Sequence, residues 1–558
     1  MRLIEIRDLD GPNIFLLEPA IKLEIEVHAR DLTPDAVADL AARMEPLAPS
    51  DDERATGADG LGDLLMAACA DLHERAGVEF PEMRWAPMET PGSWSLAFGW
   101  ERRQFALALA RLLADIATGE EVDLRAAAAG LHDLLTGDDP EDRPGMIRDD
   151  RRAIPVIAVT GTNGKTTTTR LIAHILRGTG RKVGWTSTVG VFIEGENVLE
   201  GDYTGPAGAW RVLREPGLDV AVLETARGGI LLRGMACQSN DVSVMTNISG
   251  DHLGLHGVHT VEGLAEVKGV VLRTTRSDGW VVLNADDPLV RGQAAGLHAS
   301  IIWVSQNPRN PTVAAHRRTG GRAVLTEGGW LVDVWGNESH RIVRLDEMPI
   351  AFGGQARHMI ENALCAAAAT LALDLNREEV AAGLRGFGTD AEDNPGRLNI
   401  YDLNGATVIL DYAHNTVGLT HLLQVARGFL QGDGRLTAII GTAGDRTDEA
   451  LRELGRIAAA QSDHIIVKET RRYLRGRKSV DEMTALYREG LAAGGNPPHT
   501  VAADEPEALA MALRDLNPGD VVAMMCIESG PQSRARVEAL GGLMKDGETA
   551  RRQDRKEG

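Results

Sequence analysis

The sequence predicts an α/β protein with three units in chain order. The first is a small α+β domain over residues 1–135, because a strictly alternating strand is followed by helical stretches. The other two units, 153–393 and 394–545, alternate short β-branched runs with helical stretches, which is typical of mostly parallel sheets flanked by helices. We expect the third to be Rossmann-like. A Pro/Gly/Asp-rich linker at 136–152 and a charged tail at 546–558 complete the chain.

In the first domain, the segment "AIKLEIEV" alternates apolar and charged residues, which predicts a strand with one buried face. Thr33 and Pro34 supply an N-cap and a first helical residue, so a helix is expected directly after them. Helices are also predicted at 61–77 and 101–119, with a strand at 93–100 between them.

In the central domain, a helix is predicted at 356–373. Residues 313–346 are predicted to form β-hairpins, because Gly-Gly pairs lie at 320–321 and 328–329.

Composition narrows the class of protein. The 558 residues carry 59 Lys+Arg against 81 Asp+Glu, a net charge of −22 that disfavours nucleic acid and anionic membranes as partners. No apolar run approaches the length of a membrane helix, and "MRLIEIRDLDGP" does not resemble a signal peptide, so a cytoplasmic protein is predicted. The four cysteines lie far apart without metal-type spacing, and three of them (Cys69, Cys365, Cys526) are expected to be buried reduced thiols.

The segment "VTGTNGKTTTTR" at 159–170 places a glycine-rich turn between a strand and a helix. The backbone N–H groups of such a loop and the dipole of the helix bind phosphate. Lys165 is expected to reach the β- and γ-phosphates of ATP, and the Thr166 hydroxyl to bind Mg²⁺. Val159 stands where the common P-loop pattern has its first glycine, so the loop is a shorter version. The central unit is therefore predicted to be a P-loop domain that binds ATP through Gly161, Thr162, Asn163, Gly164, Lys165, Thr166 and Thr167.

Polar residues at the ends of neighbouring predicted strands are candidates for the same site. Glu224 ends one strand, where a P-loop enzyme holds its metal, although a surface role is the alternative. Asp251 and His252 follow another strand, and a lone histidine is more often structural. Lys268 lies on a predicted helix, where a solvated lysine is the ordinary interpretation.

The segments "TGTNGKT", "ETARGGILLRGM", "NISGDHLG", "NADDP", "NPGRL", "DYAHN" and "GDR" follow one another in the order found in the Mur ligase superfamily. The resemblance covers roughly residues 153–540, and "ETARGGI" and "GDRTDE" are most similar to the Mur-ligase half of cyanophycin synthetases. Residues 1–130 resemble, more weakly, the amino-terminal domain of those synthetases. Their ATP-grasp module has no counterpart between the two parts, so we expect one ATP site, used alone or beside a separately encoded ATP-grasp partner.

The resemblance implies an ATP-dependent acid–amino-acid ligase. ATP phosphorylates a carboxylate, and an amine then attacks the acyl-phosphate and releases phosphate. The catalytic residues implied are Lys165, Glu224, His252 and Lys268. Thr166 and Glu224 correspond to the ligands of one Mg²⁺ and His252 to a ligand of a second, while Lys268 matches a lysine that many members carry as a carbamate.

The resemblance also assigns binding residues. Asn362, Arg397 and Asp411 are expected to bind the nucleotide, although the chain has His358-Met359 where the family often has His-Asn. The C-terminal domain must then close over the nucleotide. Substrates are expected at Arg227, His414 and Arg446, together with Asn415. A cationic run is also expected to face the substrate as an anion-binding patch, although such a run is more often a solvated face; it is made of Lys468, Arg471, Arg472, Arg475 and Arg477.

Several alternatives remain open from the sequence. The chain could be a regulatory P-loop ATPase or phosphotransferase, or a partner subunit of a separate synthetase. A cell-wall role and a folylpolyglutamate-synthetase-like activity are both disfavoured by the motifs. The acid could be a small molecule, a peptide or a polymer, and a homo-oligomer is plausible. The first domain could dock a partner or hold a polymer, or could serve stability alone.

Overall fold

The computed structural model describes residues 1–44, 57–120, 122–137, 139–251, 253–475 and 479–545. Three separate sheets of four, eleven and seven strands follow one another along the described chain, and helices pack against each of them. The predicted α/β class is confirmed. The tail at 546–558 lies outside the described residues.

The first sheet is antiparallel, in the order β1-β2-β4-β3. Ile21, Leu23 and Ile25 are fully buried on its inner face beneath the helices, as the alternating pattern predicts. Thr33 Oγ1 accepts a hydrogen bond from Ala36 N, so the expected N-cap is present. The elements of this unit are β1 (Arg2–Leu9), β2 (Ala20–Glu26), α1 (Pro34–Met44), α2 (Gly57–Ala76), β3 (Met83–Pro87), β4 (Ser93–Gly99), α3 (Arg103–Thr118) and α4 (Leu124–Asp133).

The second sheet has the order β15-β14-β13-β12-β11-β10-β5-β9-β6-β7-β8, and its strands from β13 to β6 are parallel. Its elements are β5 (Val156–Thr160), α5 (Lys165–Gly178), β6 (Val183–Ser187), β7 (Gly190–Ile193), β8 (Glu196–Glu200), α6 (Pro206–Leu213), β9 (Val220–Glu224), α7 (Arg227–Arg233), β10 (Asn240–Met245), α8 (Val261–Arg273), β11 (Thr275–Asn284), α9 (Pro288–Gly292), β12 (Ser300–Ser305), α10 (Pro311–Arg318), β13 (Arg322–Glu327), β14 (Trp330–Trp335), β15 (Glu338–Arg344), α11 (Arg357–Leu371) and α12 (Arg377–Gly386).

The hairpin prediction for 313–346 is wrong over its first residues. Helix α10 occupies them, because Pro311 takes the first helical position and the Asn310 side chain accepts a hydrogen bond from Thr312 N at 3.0 Å. From residue 322 onward the expected antiparallel strands β13, β14 and β15 are present.

The third sheet has the order β20-β19-β18-β21-β17-β16-β22, and its first five strands are parallel. Its elements are β16 (Asn399–Leu403), β17 (Ala406–Asp411), α13 (Thr416–Gly428), β18 (Leu436–Ile440), α14 (Asp448–Gln461), β19 (His464–Lys468), α15 (Val480–Ala493), β20 (His499–Ala502), α16 (Glu505–Arg514), β21 (Val521–Met525), α17 (Gly530–Ala539) and β22 (Leu543–Met544).

Two further expectations concern the whole chain. All four cysteines are free and buried, which confirms the prediction made for Cys69, Cys365 and Cys526. Within the described ranges, no helix combines the length and apolar character needed to cross a membrane.

Candidate active site

A cleft of about 570 Å³ lies where the central parallel strands end and the C-terminal unit begins to cover them. This is the edge at which open parallel sheets bind ligands. The cleft brings together fifteen of the residues that the sequence indicated: Thr162, Asn163, Gly164, Lys165, Thr166, Thr167, Glu224, Arg227, Asp251, Lys268, Asn362, Arg397, Asp411, His414 and Arg446.

The glycine-rich loop joins β5 to α5 and packs tightly against its neighbours. Gly161 and Gly164 have φ angles of 145° and 85°, which favour glycine. A Cβ at Gly161 would lie 2.0 Å from Thr246 Oγ1, and one at Gly164 would lie 2.1 Å from Asn362 Oδ1. Lys165 Nζ folds back and donates to Thr162 O at 2.8 Å. The loop is therefore held in one conformation with its lysine over the N-terminus of α5.

Residues after β10 hold the loop from the other side. Asn163 N donates to Asn247 Oδ1 at 2.9 Å, and Ser249 N donates to Thr162 Oγ1 at 2.9 Å. These bonds come from a neighbouring strand end, so the loop geometry depends on residues more than 80 positions away.

Glu224 at the end of β9 is 2% exposed, and neither of its carboxylate oxygens makes a hydrogen bond of normal geometry with a described residue. Burial raises the pKa of this carboxyl, while the nearby Lys165 charge opposes the rise. A buried carboxylate without a donor fits a divalent cation, which would replace the missing partners. Thr166 lines the same part of the cleft. His252, the other predicted ligand, lies outside the described residues.

Lys268 on α8 is 4% exposed, and its Nζ donates to the Gly161 carbonyl at 2.6 Å. Burial, followed by the charge of Lys165, lowers the pKa of Lys268 well below its usual range. The side chain thus lies directly beneath the phosphate loop as a buried amine, not at the surface.

The C-terminal unit adds polar side chains to the same cleft. Arg397 Nη2 lies 3.5 Å from Thr166 Oγ1, and its guanidinium stacks 4.1 Å from the centre of the Tyr412 ring. Asp411 accepts hydrogen bonds from Leu398 N and Ala413 N, both at 2.7 Å. Burial raises the pKa of the Asp411 carboxyl, against the lowering effect of Arg397.

Three further contacts join the C-terminal unit to the central one. Asp251 Oδ2 lies 3.3 Å from His414 Nε2, and Asp251 Oδ1 lies 3.3 Å from Arg446 Nη2. Asn415 Nδ2 donates to Asn163 Oδ1 at 3.0 Å. The structure therefore has the two units closed on each other around the phosphate loop.

The residues of the predicted cationic run lie in different surroundings. Arg475 lines the cleft and pairs with Asp445. Lys468 does not face a substrate, because it is 1% exposed and forms a buried ion pair with Glu505. Arg471 pairs with Glu469 at the surface, and Arg472 is also exposed. Arg477 lies outside the described residues.

Arg227 begins α7 and donates through Nη1 to the Leu255 carbonyl at 3.1 Å. It is 9% exposed and lines the cleft, on the wall that also contains His256. A guanidinium in this position can hold a carboxylate close to the phosphate loop.

Glu361 and His421 also line the cleft but were not predicted from the sequence. Glu361 accepts from Asn247 Nδ2 at 2.9 Å, and burial raises the pKa of this carboxyl to about 7. The imidazoles of His358 and His421 stack across the two units with ring centroids 5.0 Å apart. His358 and Glu361 lie three residues apart on the helix that carries Asn362. This spacing puts them on one face of the helix and was the signal available in the sequence.

Comparisons with known proteins match the central and C-terminal units of the chain. The family model of the Mur ligase middle domain matches residues 159–370, and that of the Mur ligase glutamate ligase domain matches residues 396–526. The cyanophycin synthetase of Geminocystis herdmanii is 40% identical over 400 residues, which cover 72% of this chain and 44% of that protein. The chain thus spans less than half the length of this relative.

A shorter relative is matched over most of its length. The UDP-N-acetylmuramoyl-L-alanyl-D-glutamate–2,6-diaminopimelate ligase of Gloeobacter violaceus is 30% identical over 387 residues, covering 67% of this chain and 72% of that protein. A solved bifunctional folylpolyglutamate synthase/dihydrofolate synthase with Mn, AMPPNP and L-glutamate bound shares the fold. Its TM-score is 0.51 at 20% identity, over 69% of this chain and 89% of that one. The similarity predicted from the motifs is confirmed: the chain belongs to the Mur ligase family.

Proposed function

We propose that the protein is an ATP-dependent amide ligase, which activates a carboxylate as an acyl-phosphate and couples it to an amino acid or similar amine. The observation that carries the proposal is the cleft itself. It combines a rigid phosphate loop, the buried unpaired carboxylate of Glu224 and cationic groups from both Mur ligase units. A regulatory ATPase needs the loop but has no use for Arg227 and Arg446 beside it.

The first step forms a bond between a carboxylate oxygen and the γ-phosphorus, and breaks the bond from that phosphorus to the β-γ bridging oxygen, so ADP leaves. Lys165 is placed to neutralise the charge that moves between these oxygens. Arg227 orients the acid carboxylate, and Arg397 with Asp411 holds the nucleotide from the C-terminal side. Closure of the two units keeps water from the acyl-phosphate.

In the second step the amine nitrogen bonds to the acyl carbon, the bond from carbon to the phosphate oxygen breaks, and the amine proton passes to solvent. His414, Arg446 and Arg475 line the cleft, and we propose that the amine binds beside them. Guanidinium groups there suit an amine that also carries a carboxylate, as an amino acid does. The L-glutamate in the solved relative supports this substrate class.

Mg²⁺ is the cofactor we propose, with Thr166 and Glu224 as ligands, and it would supply charge neutralisation at the phosphates. Lys268 is a candidate for carbamate formation, in which its neutral amine adds CO₂ and loses one proton. The lowered pKa of Lys268 supports this, because only the neutral amine reacts.

The test is ADP release by purified protein with Mg²⁺ and ATP, against paired panels of acids and amines, with mass spectrometry of the products. We expect ADP only when one acid and one amine are both present, together with a product of their summed mass less water. Lys165→Ala should abolish the signal, whereas Lys182→Ala, a matched change of an exposed lysine, should not. ADP release that ignores the panel would favour the regulatory ATPase. Release that needs an added ATP-grasp enzyme would favour the partner subunit.

A further inference from the structure

The linker at residues 387–398, between α12 of the central unit and β16 of the C-terminal unit, is held by α5, the helix that follows the phosphate loop. The Arg170 side chain of α5 contacts it: Nε donates to the Asp393 carbonyl at 2.7 Å, and Nη2 donates to the Glu392 carbonyl at 2.5 Å. The guanidinium also lies 5.2 Å from the centre of the Phe192 ring. One planar group therefore fixes two consecutive carbonyls of the linker, which a single ammonium could not do with the same geometry.

A second contact between α5 and the linker lies one helical turn from the first. Thr167, three residues before Arg170 on the same helix face, donates through Oγ1 to Asn394 Oδ1 at 3.3 Å. Asn394 is 4% exposed and binds both backbone groups of Arg397. Its Nδ2 donates to the Arg397 carbonyl at 3.4 Å, and its own carbonyl accepts from Arg397 N at 3.1 Å. A series of contacts thus connects α5 with the backbone of Arg397.

The backbone at the end of this series is strained. Leu398, the residue after Arg397, has a φ of 53°, an uncommon conformation for a residue with a side chain. Such a conformation persists where surrounding contacts hold it. Leu398 N donates to Asp411 Oδ2 at 2.7 Å on one side, and Asn394 holds Arg397 on the other. The Arg397 side chain is thereby directed over the phosphate loop, with Nη2 3.5 Å from Thr166 Oγ1.

The position of the linker affects how strongly Arg397 can hold a nucleotide. An arginine side chain has many rotamers, and fixing it against a ligand costs conformational entropy. A linker that is held in place before the nucleotide binds lowers this cost. Arg170 and Asn394 are not among the described residues that line the active-site cleft. Any effect of these two side chains on the nucleotide must therefore pass through the linker.

We propose that Arg170 is a positioning residue for ATP, which fixes the linker through the carbonyls of Glu392 and Asp393 and thereby keeps Arg397 over the phosphate loop. This rests on the proposed function in one respect, the binding of ATP at that loop. Arg170 takes no part in the chemical step and acts through Arg397. Its effect on the nucleotide should therefore disappear when the Arg397 side chain is removed.

The test compares nucleotide affinities of the full chain with Mg²⁺ and mant-AMPPNP, a fluorescent ATP analogue that keeps its γ-phosphate and resists hydrolysis. Arg170→Lys keeps the charge but loses the fork that binds two carbonyls. It is measured alone and combined with Arg397→Ala. Arg177→Lys is the control. Arg177 lies on the same helix, donates to the Glu194 carbonyl at 3.1 Å and lies over the Trp185 ring, but these partners belong to β6 and the turn after β7.

We expect the Kd for mant-AMPPNP to rise about tenfold in Arg170→Lys and to stay unchanged in Arg177→Lys. In the Arg397→Ala background, Arg170→Lys should have no further effect, because the group that it positions is gone. A merely structural role would raise the Kd by the same factor in both backgrounds and would overturn the proposal, as would an unchanged Kd in Arg170→Lys. Asn394→Ala should give the same pattern, and it provides the test if Arg170→Lys does not fold.

The ADP-release assay distinguishes this proposal from the ligase proposal. The expected pattern of affinities without any acid- and amine-dependent ADP release would remove the ligase and leave the positioning role of Arg170. Such release with the same Kd in wild type, Arg170→Lys and Asn394→Ala would do the reverse. No saturable binding of mant-AMPPNP to wild type would overturn the positioning role.

Discussion

Two buried glutamate–lysine sets in this protein have the same composition and opposite arrangements. In the C-terminal unit, Lys468 pairs with Glu505, which also accepts from the N–H groups of Ile527, Glu528 and Ser529. Burial alone would raise the pKa of Glu505, but the Lys468 charge and these donors hold it below its usual range. In the central unit, Glu224 makes no hydrogen bond of normal geometry with a described residue, and Lys268 donates to a carbonyl instead of a carboxylate.

The difference indicates which of the two sets stabilises the fold and which is a candidate for the reaction. Removing one member of a satisfied buried pair leaves an uncompensated charge, so Lys468 and Glu505 are expected to stabilise the fold. An unsatisfied buried carboxylate costs stability and persists when a ligand completes it. Glu224 and Lys268 therefore belong to the proposed reaction, although all four side chains are almost fully buried.

The largest effect is expected from Lys468→Met. This change leaves the Glu505 carboxylate buried without its cation and should lower the free energy of unfolding by about 3–5 kcal/mol. Urea unfolding followed by circular dichroism measures it, with the exposed Lys182→Met as control. Adding Glu505→Gln to Lys468→Met should recover part of the loss. A cost below about 1 kcal/mol for the single change would mean that the pair is not structural.

Glu224→Gln is expected to lower activity without lowering the free energy of unfolding. The amide keeps the shape but removes the proposed metal-binding charge, so acid- and amine-dependent ADP release should fall about 10²–10³-fold. The free energy of unfolding should stay the same or rise by about 1 kcal/mol, because an unpaired buried carboxyl is gone. The exposed Glu200→Gln provides the comparison. A large loss of stability with activity intact would reverse the assignment of the two sets.

Lys268→Met should lower activity about 10–100-fold, since the side chain supports the phosphate loop through the Gly161 carbonyl. Its stability should be close to that of wild type, in contrast to Lys468→Met. If the amine forms a carbamate, wild-type activity should also fall when CO₂ and bicarbonate are removed, and the variant should not respond. Equal losses of stability in the two lysine variants would contradict the comparison.

How far the sequence predicts this site depends on the distance between the contributing residues. The phosphate loop and Glu224 follow directly from strand-end patterns, because parallel strands end at one edge. The buried ion pair of Lys468 does not follow from such patterns, because its partner Glu505 lies 37 residues away on another element. The pattern of charges therefore predicted a substrate-facing lysine where the structure has a buried ion pair.

The cavity of about 850 Å³ between the first sheet and helices α7 and α8 illustrates the same limit. The charges of β1 and β2 alternate as expected for a strand with one solvated face, and nothing local indicates that α7 and α8 cover that face. In the same way the Gly-Gly signal favoured a hairpin at 313–318, although Asn310 and Pro311 start a helix there. Contacts between distant elements decide the first case, and the local helix start at Asn310 and Pro311 decides the second.

A pH-dependent effect is expected at Glu361, whose buried carboxyl accepts from the Asn247 amide, whereas Glu505 is held by an ion pair and by backbone N–H groups. The pKa of Glu361 is raised from 4.5 to about 7, so its contribution to stability is present below about pH 4.5 and lost as the pH rises to about 7. Glu361→Gln should therefore gain stability relative to wild type as the pH rises through this interval, by about 3 kcal/mol at pH 7, since one pKa unit corresponds to about 1.4 kcal/mol. Urea unfolding at several pH values measures the gain. A difference that does not change with pH would show that Glu361 does not titrate there.

The most direct test of the ligase account follows oxygen atoms. With the acid identified by the ADP-release panel, its carboxylate is labelled with ¹⁸O, and the phosphate released with the coupled product is examined by ³¹P nuclear magnetic resonance. The account predicts one ¹⁸O in each phosphate, because the bond from the acyl carbon to oxygen breaks in the second step. Unlabelled phosphate released together with a coupled product would contradict activation of the carboxylate by ATP.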